Sequence, residues 1–221
     1  MSVTTSAIGG HVSVTRELAV DADTSEALWD MYYESFRSLQ RRAAGRQLVS
    51  RRDFDLEVLD HRVTKYIARG TDGTPVGIST LSDDLTTVPW ISPEFYEARY
   101  PVHFAAKTVF YCGIAMVHPH ARSTRAFPQM VSAIGHDIAA AGGILAADMC
   151  RFNIDGVELA RMVTLMMKRA WGSANRVELD TQIYMAWEPG DHQLRRNDGL
   201  GVRAVAGPMT DAGSILASVG R

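Results

Sequence analysis

Residues 108–125 read TVFYCGIAMVHPHARSTR. Positions 108–117 are apolar on both faces of a strand, as a central strand covered from both sides must be. His118–Pro119 breaks the run, polar residues follow, and a helix is expected to begin at Ala126–Phe127. A strand, a loop and a helix N-terminus in succession make the joint at which α/β proteins often hold an anion. The first-turn N–H groups lack intrahelical partners, and the helix dipole is positive there. Arg122 and Arg125 place two further cations in the loop, both able to pair with phosphate.

Downstream, a helix is predicted over 126–141, with Phe127, Val131, Ile134 and Ile138 on one stripe and Gly142–Gly143 as its stop. Pro128 fits because it lies in the first turn. A buried strand, ILAADMC at 144–150, exits through Arg151–Phe152–Asn153 into a Met-rich helix over 155–170. A final strand or strand pair is expected within 176–187, and 188–221 reads as a weakly patterned C-terminal extension. Upstream, 82–107 is an insert with a short helix in SPEFYEARY, and an insert of that length is often a binding lid. Before it, 63–69 and 76–81 flank Asp72–Gly73, a strong hairpin signal. A helix over 51–61 turns Phe54 and Val58 inward, with His61 as a third candidate. An earlier one, running to about Ala44 with Asp23 as N-cap and Glu26 completing a capping box, places Leu28, Met31, Tyr32, Ser35, Phe36 and Leu39 on one face. A first strand falls within 11–20. The order predicts an α/β fold with a mixed, largely antiparallel central sheet flanked by helices and an insert before the central strand. One domain is expected over 1–187, followed by the extension at 188–221.

The 221 residues suffice for one domain with a good-sized core. A net charge of −2 gives no electrostatic reason to expect nucleic acid. Two cysteines, Cys112 and Cys150, each in an apolar run, make no disulfide framework and suggest buried thiols in a reducing cytoplasm. No apolar run reaches the roughly 18–20 residues needed to cross a bilayer, so no membrane partner is expected. Residues 1–10 lack the basic and apolar regions of a secretion signal. A cytoplasmic protein is the expectation.

The element order resembles the GNAT-type acyl-CoA N-acyltransferase fold over residues 12–187. In that family the central strand leads into a loop whose amides, with those of the next helix, hold the pyrophosphate of coenzyme A. Val117, Pro119 and Arg122 match its pattern; Arg125 and Phe127 stand where it has glycines. Asn153 resembles the family's Asn after the fifth strand. The Tyr that often serves the family as general acid late in the following helix has no counterpart in Leu165–Lys168. The frequent Glu base of the central strand has none either; Tyr111 and Cys112 occupy that strand instead. The insert at 90–101 gives a weaker likeness in layout to acyl-homoserine-lactone and N-acyl amino acid synthases, whose donor is often an acyl-carrier protein.

What the resemblance implies is transfer of an acyl group from a thioester donor, acyl-CoA or acyl-ACP, to a small-molecule amine. Tyr111 and Asn153 would be the catalytic residues. Val117, His118, Arg122, Ser123, Thr124 and Arg125 would hold the donor. The other reading is a GNAT-like module without catalysis that binds a ligand or partner in the same cleft; it rests on the replaced glycines and the missing Tyr and Glu. A third makes the tail and apolar surface an oligomer interface, a homodimer for instance. His118-x-His120 could ligate a metal, but no further spaced ligand pair accompanies it, and no metal is expected.

Overall fold

The computed structural model describes residues 12–45, 48–122 and 124–187, and the hairpin expected at Asp72–Gly73 lies at the middle of its main sheet. Strand β1 (Ser13–Glu17) precedes helix α1 (Ala22–Phe36), a 3-10 turn (Arg37–Arg41) and helix α2 (Arg51–Val58). The hairpin is β2 (Thr64–Arg69) and β3 (Pro75–Leu81). The insert folds as two short helices, α3 (Pro93–Arg99) and α4 (Pro101–Ala105). The central strand is then met as two pieces, β4 (Val109–Tyr111) and β5 (Ala115–Val117). Helix α5 (Ala126–Ala140), strand β6 (Ile144–Ala146), a π-helical turn (Phe152–Gly156) and helix α6 (Leu159–Trp171) complete the order. The chain divides into two compact units, Met1–Tyr184 and Met185–Arg221, and all these elements belong to the first. In the second, Met185 and Trp187 are exposed.

The main sheet runs β1-β2-β3-β5, antiparallel throughout, while β4 pairs in parallel with β6. This is the mixed, largely antiparallel α/β layout that the sequence leads one to expect, with its insert directly ahead of the central strand. β2 and β3 are buried on both faces because helices cover both. On one face Ile67 and Ile78 pack with Leu28, Met31 and Phe54 from α1 and α2. On the other, Tyr66, Ala68 and Val76 pack with Met130, Ile134 and Ile138 of α5. The insert closes a third cluster, in which Tyr96 meets Tyr111 edge-on at 6.3 Å.

Local signals account for most element ends. The N-cap of α1 is Asp21 rather than Asp23: its Oδ1 accepts the Thr24 N–H at 2.7 Å. Ser50 and Asp53 form a capping box at the start of α2, a position with direct consequences for the site. Gly135 on α5 lets α6 approach so closely that an added Cβ would lie 2.8 Å from Ala170 Cβ. Trp171 Nε1 seals that crossing by donating to Gly135 O at 2.7 Å.

Further expectations change. The first helix ends at Phe36 and gives way to the 3-10 turn, and the strand expected over 144–150 is confined to Ile144–Ala146. Residues 172–187 adopt neither strand nor helix. Leu179 packs into the cluster beneath the insert, but Val177, Ile183 and Tyr184 are exposed. Their β-forming side chains have no ladder to join, and β-propensity without a partner strand does not make a strand. The Met-rich helix begins at Leu159, after the π-helical turn, rather than near Asp155.

Candidate functional site

The site begins as a miscount between two strands. Ser82 and Tyr111 exchange backbone hydrogen bonds at 3.0 and 2.8 Å. Two residues earlier on β3, Thr80 N–H donates to Ile114 O at 2.8 Å. Opposite the single residue Leu81 therefore stand two, Cys112 and Gly113: a β-bulge that divides β4 from β5. Beyond it the alternation resumes with Ile78 opposite Met116, and His118 N–H donating to Val76 O at 2.8 Å.

The bulge coincides with the place where the sheet parts. Pairing between β4 and β6 runs from Val109 opposite Ile144 to Tyr111 opposite Ala146, and Cys112 N–H then donates to Ala146 O at 2.9 Å. No further ladder joins β5 to β6. Since the amides of 114, 116 and 118 serve β3, those of Ala115 and Val117 face the gap by the alternation of an antiparallel ladder. Gly113 N–H makes no hydrogen bond among the described residues. An unsatisfied donor on a parted strand is a ready partner for a carbonyl oxygen.

Glu57, from the inner flank of α2, reaches the bulge. Thr80 Oγ1–H donates to its Oε1, and the same hydroxyl oxygen accepts Ile114 N–H at 2.7 Å. Gly113 makes this fit, since a Cβ there would collide with the Glu57 carboxylate. Burial pushes the Glu57 carboxyl up to about 7, against the pull of the Thr80 and Ile114 hydrogen bonds, and the charge of Asp148 adds to the rise. A carboxylate that titrates near neutrality beside an unpaired N–H has the properties of a general base. Sequence reading missed it, because the helical period marks Phe54, Val58 and His61 as inward and not Glu57; His61, past the end of α2, is exposed instead. The usable signals were a glycine inside an apolar strand, which often marks a bulge, and an acidic residue next to a core position.

Asp148 lies just past β6, exposed, on the same opening. Its Oδ1 accepts from the Tyr111 hydroxyl at 2.6 Å and from Trp90 Nε1 at 3.2 Å. Tyr111 is the sequence-predicted catalytic residue. The structure buries its ring under Tyr96, and burial together with Asp148 holds its phenol far above the usual range. A phenol so held keeps its proton. Its neighbour Cys112 is pushed up to about 11 by burial and contacts Ser79 Oγ at 3.4 Å, so it stays a thiol. Asn153, the other predicted catalytic residue, is partly buried on the π-helical turn, with its N–H donated to Cys150 O at 2.9 Å. Phe152 beside it carries the Arg42 guanidinium 4.7 Å above its ring.

The predicted donor-binding residues gather at the far end of β5. Val117 is its last residue. His118 Nδ1 accepts the His120 N–H at 3.2 Å, and its Nε2 lies 3.5 Å from Glu34 of α1. Arg122 and Arg125 are exposed, and Arg125 is the N-cap of α5 without a side-chain cap bond. Thr124 Oγ1 accepts the Ala126 N–H at 3.2 Å, and Pro128 has none to offer. The α5 terminus thus has fewer amides for an anion than an uncapped helix would, with two guanidinium groups beside it. Ser123 lies outside the described residues.

No protein-family model matches the chain, and no curated protein matches it in sequence. Among solved structures it is similar to a ribosomal-protein-alanine N-acetyltransferase from Brucella melitensis, with 13% identity over 80% of this chain and 100% of the other and a TM-score of 0.47. It is similar also to the aminoglycoside N-acetyltransferase AAC(6')-Iy in complex with the bisubstrate analogue CoA-S-monomethyl-acetylneamine, with 14% identity over 81% and 100% and a TM-score of 0.46. A transcriptional regulator from Bacillus halodurans gives 14% identity over 79% and 100%, with a TM-score of 0.48. At these identities and TM-scores the likeness carries no statement about activity, donor or acceptor.

Proposed function

We propose that this chain is a divergent N-acyltransferase that moves an acyl group from a thioester donor, acyl-CoA or acyl-carrier protein, to an amine in the opening between β5 and β6. The observation that carries the reading is the juxtaposition at the bulge: an unpaired N–H at Gly113, and Glu57 with a carboxyl near neutrality. The thioester carbonyl would accept from Gly113 N–H, which stabilises the negative charge that grows on that oxygen during attack. The amine would lose its proton to Glu57, directly or through a water, and expel the thiolate with no covalent enzyme intermediate.

The parted edge supports the donor's placement. An extended, amide-bearing arm would pair with Ala115 and Val117 as a further strand pairs with a sheet edge. Its anionic end would meet His118, Arg122, Ser123, Thr124 and Arg125. Asn153 would line the opposite wall from the π-helical turn. Tyr111 enters this reading as the residue that orients Asp148. The acyltransferase domain would occupy 1–187, with 188–221 as its extension.

Calorimetric titration with acetyl-CoA, a long-chain acyl-CoA and acyl-carrier protein tests donor binding, and thiol release across a panel of amines tests catalysis. Failure to bind any of the three donors would sink the proposal. A specific observation favours a second reading, the binding module without catalysis. Ala126 N–H is taken by Thr124, Pro128 lacks one, and Arg125 and Phe127 stand where the resembled family has glycines. Donor binding without thiol release from any amine would select that reading.

A further inference from the structure

Asp148 does more than the burial of Tyr111 requires. A buried phenol needs one acceptor, and a backbone carbonyl would serve. Here the acceptor is an exposed carboxylate, and a second donor from a separate segment, the Trp90 indole, reaches the same oxygen. Both donors take Oδ1, and Oδ2 has no partner among the described residues. Exposed carboxylates commonly find a Lys or Arg, as Glu26 and Asp155 do in this chain. No cationic side chain lies within ion-pair distance of Asp148 among the described residues. The exposed indole of Trp90 stands beside it, a surface that favours a cation over a neutral group. Asp148 also lies close enough to the bulge for its charge to act on Glu57 and Cys112.

We infer that Asp148 selects the acceptor: it binds the second, unreactive ammonium of a diamine whose other nitrogen attacks the thioester at Gly113. This rests on the acyl-transfer reading above. Glu57 and Asp148 then divide the work between two chemically alike ends. The end at Glu57 must become neutral, because only the free amine is a nucleophile. The end at Asp148 must stay charged, and a fixed, solvent-facing carboxylate favours that form. The reacting ammonium gives up one proton to become an amine and a second as the C–N bond forms and the C–S bond breaks. The departing thiolate takes up one, so each turnover yields an amide, a free thiol and one proton. The Asp148 ammonium is unchanged.

The test compares putrescine with n-butylamine and with the aminoalcohol of the same chain length, using the donor found to bind. Wild type should use putrescine at least about tenfold more efficiently than either monoamine, the worth of one charge-assisted contact. Asp148→Asn should remove that preference by raising KM for putrescine about tenfold while KM for the monoamines moves less than about twofold; any change in kcat, from the loss of one charge near Glu57, should be the same for all three amines. The Asn oxygen still accepts from Tyr111 and Trp90, so a purely structural role predicts no change in the preference. Equal use of all three amines by wild type, or a preference that survives Asp148→Asn, overturns the inference and leaves acyl transfer standing. No thiol release with any amine or donor removes acyl transfer itself. Should Asp148→Asn fail to fold, salt supplies the readout: KM for putrescine should climb with ionic strength more steeply than KM for the monoamines, and parallel curves would refute the contact.

Discussion

Glu57 is where burial and hydrogen bonding oppose each other most sharply. Its carboxyl rises from an ordinary 4.5 to about 7, so the folded state disfavours the charged form. The sign for stability follows from linkage. Below about pH 4.5 the group is neutral in both states and the fold carries no penalty. As pH rises through 7 the unfolded chain is already ionised while the fold resists, and stability falls by about 3 kcal/mol. Glu57→Gln should therefore match wild type in urea melts at pH 4 and exceed it at pH 8. The same variant should lower kcat/KM at pH 8 by about 100-fold, the usual contribution of a general base, and abolish a rise of activity with pH centred near 7. Gly113→Ala tests the fit from the other side. A Cβ there collides with the Glu57 carboxylate, so the variant should lose activity comparably. Its fold should survive, because the φ of Gly113 is not in the left-handed region that only glycine favours.

At the scale of elements, the hairpin is tied down by a buried lysine. Lys65 Nζ donates to the carbonyls of Leu18, Asp60 and Val63 at 3.0, 2.6 and 2.9 Å, joining the end of β1 and the loop after α2 to β2. Lys65→Met would keep the stem's packing and orphan three carbonyls. A loss of about 2–4 kcal/mol in denaturant melts is expected. Gly135→Leu should cost a similar amount by forcing α6 away from α5, visible as a fall in Tm with unchanged helical content by circular dichroism. The elements themselves were largely legible. The Asp72–Gly73 turn, the stripe of α5 and the inward pair Phe54 and Val58 are local patterns, and local patterns survive in one dimension. The bulge left only one local mark, Gly113 within an apolar strand, because it is a relation between β3 and the central strand. Glu57 was missed for the same reason: its importance comes from what lies opposite, not from its place on α2. The strand expected within 176–187 failed in the converse way, with β-forming residues present and a partner strand absent.

Across the whole first unit, protection should be uneven. Amide exchange should be slowest in β2 and β3, which are paired on both edges and buried on both faces, and fast over 172–187, where no ladder exists. Slow exchange over 176–187 in the free protein would show pairing that this architecture lacks. The extra residue at Cys112–Gly113 has a consequence for how the opening persists. It behaves as a dislocation does in a crystal: small local motions cannot heal it, because the mismatch is one whole residue. Healing it would slide everything downstream by one position, turning Ile114 and Met116 out of the core and Ala115 into it. The opening is thus guarded by hydrophobic side chains that line no part of it. The unpaired amide at its apex is held in place by the chain's inability to recount itself.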